Sequence, residues 1–171
     1  ATRIACQTEN LTTKEPDLSF VNRVDSMDSD ADVVVVFGGT NDFGHGDAKL
    51  GTFESRDPYT FYGAMHVLCE KLINRFPNAD ILFMTPLHRC SEDEVSKENG
   101  LPEETNLAGY VSIIREVAEF YGLPVLDLFS TSGLQPKVDI IKETYMPDGL
   151  HPSDAGALRI ALRLMGFLQT L

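Results

Sequence analysis

Positively charged residues are scarce in this chain of 171 residues: 14 Lys and Arg stand against 26 Asp and Glu, which gives a net charge of −12. An excess of negative charge repels the phosphates of nucleic acids and the head groups of anionic lipids. No apolar run approaches the roughly 20 residues that a membrane-spanning helix needs. The composition therefore argues against nucleic acid as a partner and against a membrane span, and it favours a small, neutral substrate.

Cysteines are also few. Cys6, Cys69 and Cys90 are widely spaced and form no C-x-x-C pair, so the sequence predicts neither a zinc site nor a redox motif, and no cofactor is expected. Free thiols favour a reducing, cytoplasmic compartment, but the sequence decides neither the compartment nor homo-oligomerisation. No repeat or linker divides the chain, so residues 1–171 are predicted to form a single domain.

Short apolar strands alternate with amphipathic helices along the chain. Strands are predicted over residues 32–38, 79–86 and 123–129, and helices over residues 18–27, 61–76, 107–121 and after Ser153. Such alternation is typical of a parallel sheet with helices on both faces. The predicted fold class is α/β, a three-layer α/β/α sandwich with a doubly wound, flavodoxin-like sheet.

Two loops are long for this architecture, and both follow predicted strands. One covers residues 41–58 and the other residues 86–106. Ligands of open parallel sheets bind beyond the carboxyl ends of the strands, and long loops there are usually functional. The sequence thus predicts a binding site at this edge. The acidic run of residues 92–94 in the second loop is interpreted as a solvated face.

A first motif, residues 38–42, leaves the first strand at its carboxyl end. Its glycines allow a turn, and its Asn41 and Asp42 side chains could simply make local hydrogen bonds. The functional alternative is that Asn41 directs its amide N–H into the crevice and stabilises a developing oxyanion.

A second motif, residues 146–153, precedes the last helix. Asp148 lies three residues before His151, close enough to accept a hydrogen bond from the imidazole Nδ1–H. That bond would leave Nε2 free to act as a general base. The structural alternative is a loop with an Asp–His hydrogen bond and a helix-capping Ser153.

Together the two motifs resemble the SGNH hydrolases, also called GDSL-like lipases and acylhydrolases. The family pattern places G-x-N-D after a strand and D-x-x-H near the C-terminus, and here Gly39 to Asp42 and Asp148 to His151 match it. The resemblance implies that Asn41 contributes to an oxyanion hole, that His151 is the general base and that Asp148 orients it. It also implies a serine nucleophile, an acyl-enzyme and a small acyl ester substrate, with acetylated carbohydrate as one class.

Further residues at the same edge are candidates for a substrate pocket. Gly39 and Asp42 belong to the first motif, His45 and Asp47 follow it, and His88 and Arg89 follow the second strand. His45 and Asp47 could also bind a metal, but two ligands are weak evidence and no metal is expected. Solvated loop residues remain the alternative for His88 and Arg89.

The family's Gly-Asp-Ser motif occurs nowhere in the sequence. The resemblance implies that the nucleophilic serine lies upstream of Ala1, together with two strands and a helix, some 40 residues in all. The first strand present here should then pair on one side with a strand that these residues do not supply, because native proteins avoid bare apolar edges. Two alternatives stay open: a binding module that has lost its nucleophile, and a nucleotide binder, although no phosphate-binding glycine loop is visible.

Overall fold

The computed structural model describes residues 2–6, 19–45, 48–94 and 105–171. Three strands are present, and their bounds are β1 Val33–Phe37, β2 Asp80–Met84 and β3 Val125–Leu126. The helices are α1 Phe20–Arg23, which continues as a 3-10 turn over Val24–Ser26, α2 Thr40–His45, α3 Phe61–Arg75, α4 Leu107–Phe120, α5 Leu128–Thr131, α6 Asp139–Tyr145 and α7 Asp154–Leu168. No helix in these ranges is long and apolar enough to cross a membrane.

The strands form one parallel sheet in the order β1-β2-β3. In its register Val35 lies opposite Leu82, and Phe83 lies opposite Val125. Within the described ranges β1 pairs with β2 alone, so its other edge has no strand partner there. The predicted α/β class with a parallel sheet is confirmed.

Helices cover both faces of this sheet, which makes three layers. Successive side chains of a strand point to opposite faces, so Val34 and Val36 of β1 pack into one core with α3 and α4, while Leu82 and Met84 of β2 pack into a second core. That second core includes Ile160 of α7. The α/β/α sandwich follows from this alternation.

Three helices begin where the sequence supplies an N-cap. The side chains of Thr60, Asn106 and Ser153 each accept a hydrogen bond from the backbone N–H three residues later, at the starts of α3, α4 and α7. Such caps satisfy an otherwise unpaired donor of the first turn and typically contribute about 1 kcal/mol each. The three predicted long helices therefore appear within a residue or two of their expected bounds.

Other predicted elements need correction. The third strand ends at Leu126 rather than at residue 129, because the carboxylate of Asp127 accepts the N–H of Ser130 at 3.2 Å and starts α5. The loop predicted over residues 41–58 begins as helix α2. Helix α6 was not predicted, and none of its residues is buried, so the apolar periodicity that marks a helix is absent there. Of the short helix predicted over residues 18–27, Leu18 lies outside the described residues.

Candidate active site

Asp148 and His151 lie on the loop that joins α6 to α7. Nδ1 of His151 is 2.7 Å from Oδ2 of Asp148. The other oxygen, Oδ1, accepts the backbone N–H groups of Leu150 at 2.8 Å and of His151 at 2.7 Å. A carboxylate can only accept, so the proton of this pair resides on Nδ1 and the imidazole Nε2 is the basic nitrogen.

The hydrogen bond from the His151 side chain and those from the two backbone N–H groups lower the pKa of Asp148 from 3.8 to about 2. Its carboxyl group is therefore ionised throughout the neutral range. Gly149 makes the turn possible, because its φ is +76° and a Cβ there would lie 2.5 Å from Sγ of Cys90. The N–H of Cys90 donates to the Gly149 carbonyl at 2.9 Å, which ties this loop to the segment after β2.

Asn41 and His151 line the same cavity, of about 210 Å³, at the carboxyl end of β1. The chain brings them together from positions 110 residues apart because parallel strands and the loops that follow them meet at one edge of the sheet. The cavity is lined by Phe37, Gly38, Thr40, Asn41, Pro86, Leu87, Leu150, His151 and Pro152. The expected proximity of Asp148, His151 and Asn41 is thus present in the structure.

The Asn41 amide is held in place by the N-terminal segment. Its Nδ2 donates to the Thr2 carbonyl at 2.9 Å. An amide nitrogen carries two N–H groups, so this bond uses one of them and fixes the plane of the side chain. Asn41 lies on the first turn of α2 rather than in a loop.

Asp42, predicted as a pocket residue, does not line the cavity. Its side chain is buried, with 2% of the residue exposed, and its carboxylate accepts the N–H of Ile4 and the N–H of Ala5, each at 2.9 Å. Burial raises the pKa of Asp42 from 3.8 to about 6, and the backbone hydrogen bonds and the charge of Arg3 offset part of that rise. The side chain anchors residues 4 and 5 to α2.

Gly39 and His45 are likewise not part of the cavity lining. Gly39 has a φ of +102°, and a Cβ there would be 3.0 Å from Ile114, so it is a turn residue between β1 and α2. His45 is the last residue of α2, and its carbonyl oxygen accepts a hydrogen bond from Nη1 of Arg3, 2.8 Å away. Asp47 lies outside the described residues.

The segment after β2 keeps His88 and Arg89 near the site but outside the cavity lining. Nδ1 of His88 is 2.7 Å from Oε2 of Glu92, and the His88 ring packs on Phe129 with 3.9 Å between centroids. The guanidinium of Arg89 lies over the ring of Phe43, 5.4 Å from its centroid.

Residues 92–94 were predicted to form a solvated face, and this prediction is wrong for Glu92. Only 6% of Glu92 is exposed. Burial by itself would raise its pKa, but hydrogen bonds from Lys137, Gln135 and His88 outweigh that effect and lower the pKa from 4.5 to about 2. Nζ of Lys137 is 2.9 Å from Oε1 of Glu92. The buried carboxylate links the segment after β2 to the one before α6.

Sequence reasoning missed Thr40, Leu150 and Pro152, which line the cavity. The available signal was their position, since each lies inside one of the two motifs. Thr40 is the one hydroxyl-bearing residue among the described residues of the lining. As for metals, the ranges that the structure describes contain no group of three or more His, Cys, Asp or Glu side chains placed to bind one.

Comparison with known proteins adds to this geometry. One solved crystal structure is 38% identical with a TM-score of 0.84, and the match covers 99% of this chain and 76% of that one. A protein from Lactobacillus plantarum is 29% identical with a TM-score of 0.82, covering 99% and 77%. A peptidoglycan O-acetylesterase is 17% identical with a TM-score of 0.63, covering 88% and 40%, which shows a shared fold alone.

No curated protein matches the chain. Residues 6–159, most of its length, match the GDSL-like lipase/acylhydrolase family. The two motifs that suggested this family lie inside the matched range. The chain belongs to the GDSL-like lipase/acylhydrolase family, a group of hydrolases that act on esters.

Proposed function

We propose that the protein hydrolyses small acyl esters through a Ser-His-Asp triad in which His151 is the general base and Asp148 orients it. The carrying observation is the 2.7 Å contact between Nδ1 of His151 and the ionised Asp148, on a loop that places His151 in one cavity with Asn41. A histidine with a fixed Nδ1–H and an amide donor across a small cavity are the two elements that acyl transfer needs beside a nucleophile.

In this mechanism Nε2 of His151 takes the proton of the serine hydroxyl as its oxygen attacks the ester carbonyl carbon. The second N–H of the Asn41 amide stabilises the negative charge on the carbonyl oxygen. The imidazolium of His151 then protonates the departing alcohol as the C–O bond breaks, which leaves an acyl-enzyme. Water attacks the acyl-enzyme with His151 again as the base, and the carboxylic acid and free serine result.

The nucleophile is proposed to be a serine outside these 171 residues. Within the described part of the cavity lining the only hydroxyl belongs to Thr40, and it accepts a long hydrogen bond, 3.5 Å, from Arg89. A residue at the carboxyl end of a further parallel strand beside β1 would adjoin Phe37 and Gly38, which line the cavity. Such a residue would adjoin the cavity that His151 and Asn41 line.

The size of the cavity and the charge of the chain support this substrate class. A cavity of about 210 Å³ is smaller than the roughly 300–1,000 Å³ of sites for drug-sized ligands, so a short acyl group fits better than a fatty acyl chain. The net charge of −12 disfavours anionic substrates. Acetylated carbohydrate meets both conditions, and one protein of the same fold is a peptidoglycan O-acetylesterase.

A second candidate is a non-catalytic binding module of the same fold. The observation that favours it is the lack of a serine among the described residues of the cavity lining. The two candidates differ in one property, which is whether the protein carries an activated nucleophile. A covalent probe therefore separates them directly.

The test uses the full-length protein with p-nitrophenyl acetate as substrate and a fluorophosphonate as covalent probe. His151→Ala should lower kcat by about 10⁴ or more, and Asn41→Ala by about 10²–10³, because one oxyanion donor is lost. Asn74→Ala is the matched control, because the exposed Asn74 amide donates to the Glu70 carbonyl of the same helix, outside the cavity lining. This variant should retain the parent's rate. Hydrolysis should also fall as the acyl group is lengthened from acetyl to octanoyl.

Mass spectrometry of the probe-labelled peptide identifies the nucleophile. A labelled serine outside residues 1–171, with labelling lost in His151→Ala, supports the proposal. A full-length protein that neither reacts with the probe nor hydrolyses the ester is the binding module. Labelling at Thr40 would show that the nucleophile has been misplaced.

A further inference from the structure

The carboxylate of Glu92 is surrounded by hydrogen-bond donors. Its Oε2 is 2.7 Å from Nδ1 of His88 and accepts the backbone N–H of Arg89 at 3.2 Å. Its Oε1 accepts hydrogen bonds from Nε2 of Gln135 at 3.1 Å and from Nζ of Lys137 at 2.9 Å. A carboxylate has about four acceptor sites, so these donors saturate it, and only 8% of the side chain is exposed.

The donors of Glu92 come from two separate segments, the turn of residues 88–92 and residues 135–137. The N–H of Glu92 also donates to the Arg89 carbonyl at 3.2 Å, which closes the turn. A buried carboxylate is tolerated only while its donors stay in place. Glu92 therefore fixes the shape of the turn and its position relative to residues 135–137.

Cys90, in the middle of that turn, contacts the loop that carries the Asp148–His151 pair. Its N–H donates to the Gly149 carbonyl at 2.9 Å, and its Sγ is 3.7 Å from the Pro136 carbonyl oxygen. The fit against Gly149 is close, because a Cβ there would lie 2.5 Å from Sγ of Cys90. Gly149 stands between Asp148 and His151 in the chain, so a shift of the turn would shift the pair.

The same turn is continuous with the wall of the active-site cavity. Leu87, the residue before the turn, lines the cavity together with His151. His151 and this wall are both attached to the 88–92 turn, one through the N–H of Cys90 and the other through the chain itself. Because Glu92 fixes the shape of the turn, it also fixes how His151 lies relative to the wall.

We propose that Glu92 is a positioning residue for ester hydrolysis, which holds His151 in place through the turn of residues 88–92 and through Cys90. The inference rests on the proposed function, because it assigns a role in the same reaction. Glu92 is not part of the cavity lining, so it acts on the geometry of the base and not on the substrate. A displacement of about 1 Å at a reacting group can lower a rate by about 10²-fold.

Glu92→Gln in the full-length protein tests the proposal. Glutamine keeps the size of the side chain, but it removes the charge and places an N–H₂ group where a carboxylate oxygen faces a donor. With p-nitrophenyl acetate, kcat should fall by about 10–10²-fold, while KM should stay within about twofold of the parent's. The rate is expressed per site titrated with a fluorophosphonate, so that a mere loss of folded protein does not lower it.

Asp93→Asn is the matched control. It makes the same chemical change at the next position, and the Asp93 carboxylate contacts the same Lys137 Nζ. The Asp93 side chain is 77% exposed, so kcat should stay within about twofold of the parent's. A kcat per site for Glu92→Gln equal to that of this control would overturn the proposal.

A double-mutant cycle shows whether Glu92 acts through the Asp148–His151 pair. In an Asp148→Asn background, where the base is already disabled, Glu92→Gln should lower kcat by less than about twofold, because the two changes disrupt one unit. If each change instead lowers kcat by its full factor in the presence of the other, Glu92 acts elsewhere and the proposal is wrong.

Hydrogen exchange at the Cys90 amide measures the proposed link without using activity. In Glu92→Gln this N–H should exchange at least about tenfold faster than in the parent, because the turn that presents it to Gly149 is loosened. Asp93→Asn should leave the exchange rate unchanged. An unchanged rate in Glu92→Gln would contradict the link.

Lys137→Met serves if Glu92→Gln does not fold. It removes one donor of Glu92 and leaves the others in place, so kcat per site should fall and Cys90 exchange should rise, both by less than in the loss of the carboxylate. If neither quantity changes in Lys137→Met, the proposal is overturned.

Failure of this inference can be told apart from failure of the proposed function. A parent protein that does not hydrolyse esters refutes the proposed function, and the positioning role is refuted with it. A parent that is active and depends on His151, with Glu92→Gln as active as Asp93→Asn, refutes the positioning role alone.

Discussion

Asp42 and Asp148 offer a comparison within one site. Each belongs to one of the two motifs, and each carboxylate accepts two backbone N–H groups at 2.7–2.9 Å. Asp42 is almost fully buried, whereas 54% of the Asp148 side chain is exposed. Burial raises the pKa of Asp42 to about 6, while hydrogen bonds from His151 and the backbone lower that of Asp148 to about 2.

The difference follows from burial at Asp42 and from the His151 hydrogen bond at Asp148, and not from the number of backbone donors. The cost of removing a charge from water exceeds what two N–H donors return at Asp42, and almost no such cost arises at Asp148. The buried carboxylate anchors chain segments. The exposed one remains charged beside His151, which is the property that an orienting residue needs.

The largest effect is expected for Asp148→Asn in the full-length protein, and it should appear in kcat. An amide can donate to Nδ1 and so stabilise the wrong imidazole tautomer, and kcat should fall by about 10⁴. The free energy of unfolding should change by less than about 1 kcal/mol, because the residue is exposed. Steady-state kinetics and urea unfolding measure the two quantities. Asp139→Asn, at the exposed start of α6, is the control. A kcat for Asp148→Asn near that of the control would remove Asp148 from the proposed triad.

An intermediate effect is expected for Asp42→Ala, and it should appear in stability. The N–H groups of Ile4 and Ala5 would lose their acceptor, and each unsatisfied buried N–H costs about 1–3 kcal/mol, so unfolding should become easier by roughly 2–6 kcal/mol. Asp57→Ala is the matched control, since that carboxylate caps the Tyr59 N–H at an exposed site. If both variants unfold at the same urea concentration, the anchoring role of Asp42 is wrong.

The smallest expected effect is a pH dependence of opposite sign for the two residues. The raised pKa of Asp42 means that its stabilising contribution is present below pH 3.8 and is lost as the pH rises through about 6. As the pH rises from 4 to 7, the free energy of unfolding of the parent should fall relative to that of Asp42→Asn. The expected loss is about 1.4 kcal/mol for each unit by which the pKa of Asp42 is raised. Asp148 behaves in the opposite way, because its contribution is present above pH 3.8 and is lost only as the pH falls toward 2. Urea unfolding over pH 4–7 measures the free energy of unfolding of the parent and of both variants. The difference between the parent and Asp42→Asn should change with pH, whereas the difference between the parent and Asp148→Asn should stay constant. If neither difference changes with pH, the comparison is contradicted.

Local patterns in the sequence were sufficient for the fold class and for the motif residues. Runs such as residues 33–37 predict parallel strands, although Val33, Val35 and Phe37 are exposed on one face, and capped apolar periodicity predicts α3, α4 and α7. Both signals are carried by neighbouring residues. The Asp148–His151 contact was equally accessible, since three residues of chain fix the distance between them. Helix α6, without a buried face, and the helical start at Thr40 gave no such pattern.

Contacts between distant parts of the chain were decided only by the tertiary structure. Asp42 and Asp148 look alike in sequence, but burial by other segments raises the pKa of Asp42, whereas Asp148 stays exposed and hydrogen bonds from its chain neighbours lower its pKa. Glu92 looked like part of a solvated acidic run, but packing against residues 135–137 buries it and supplies its partners. Which motif neighbours line the cavity, and which edge of β1 is open, likewise depend on the sheet order and on the path of α7. Sequence determines local geometry through covalent distance and periodicity, whereas solvent exposure is a property of the assembled layers.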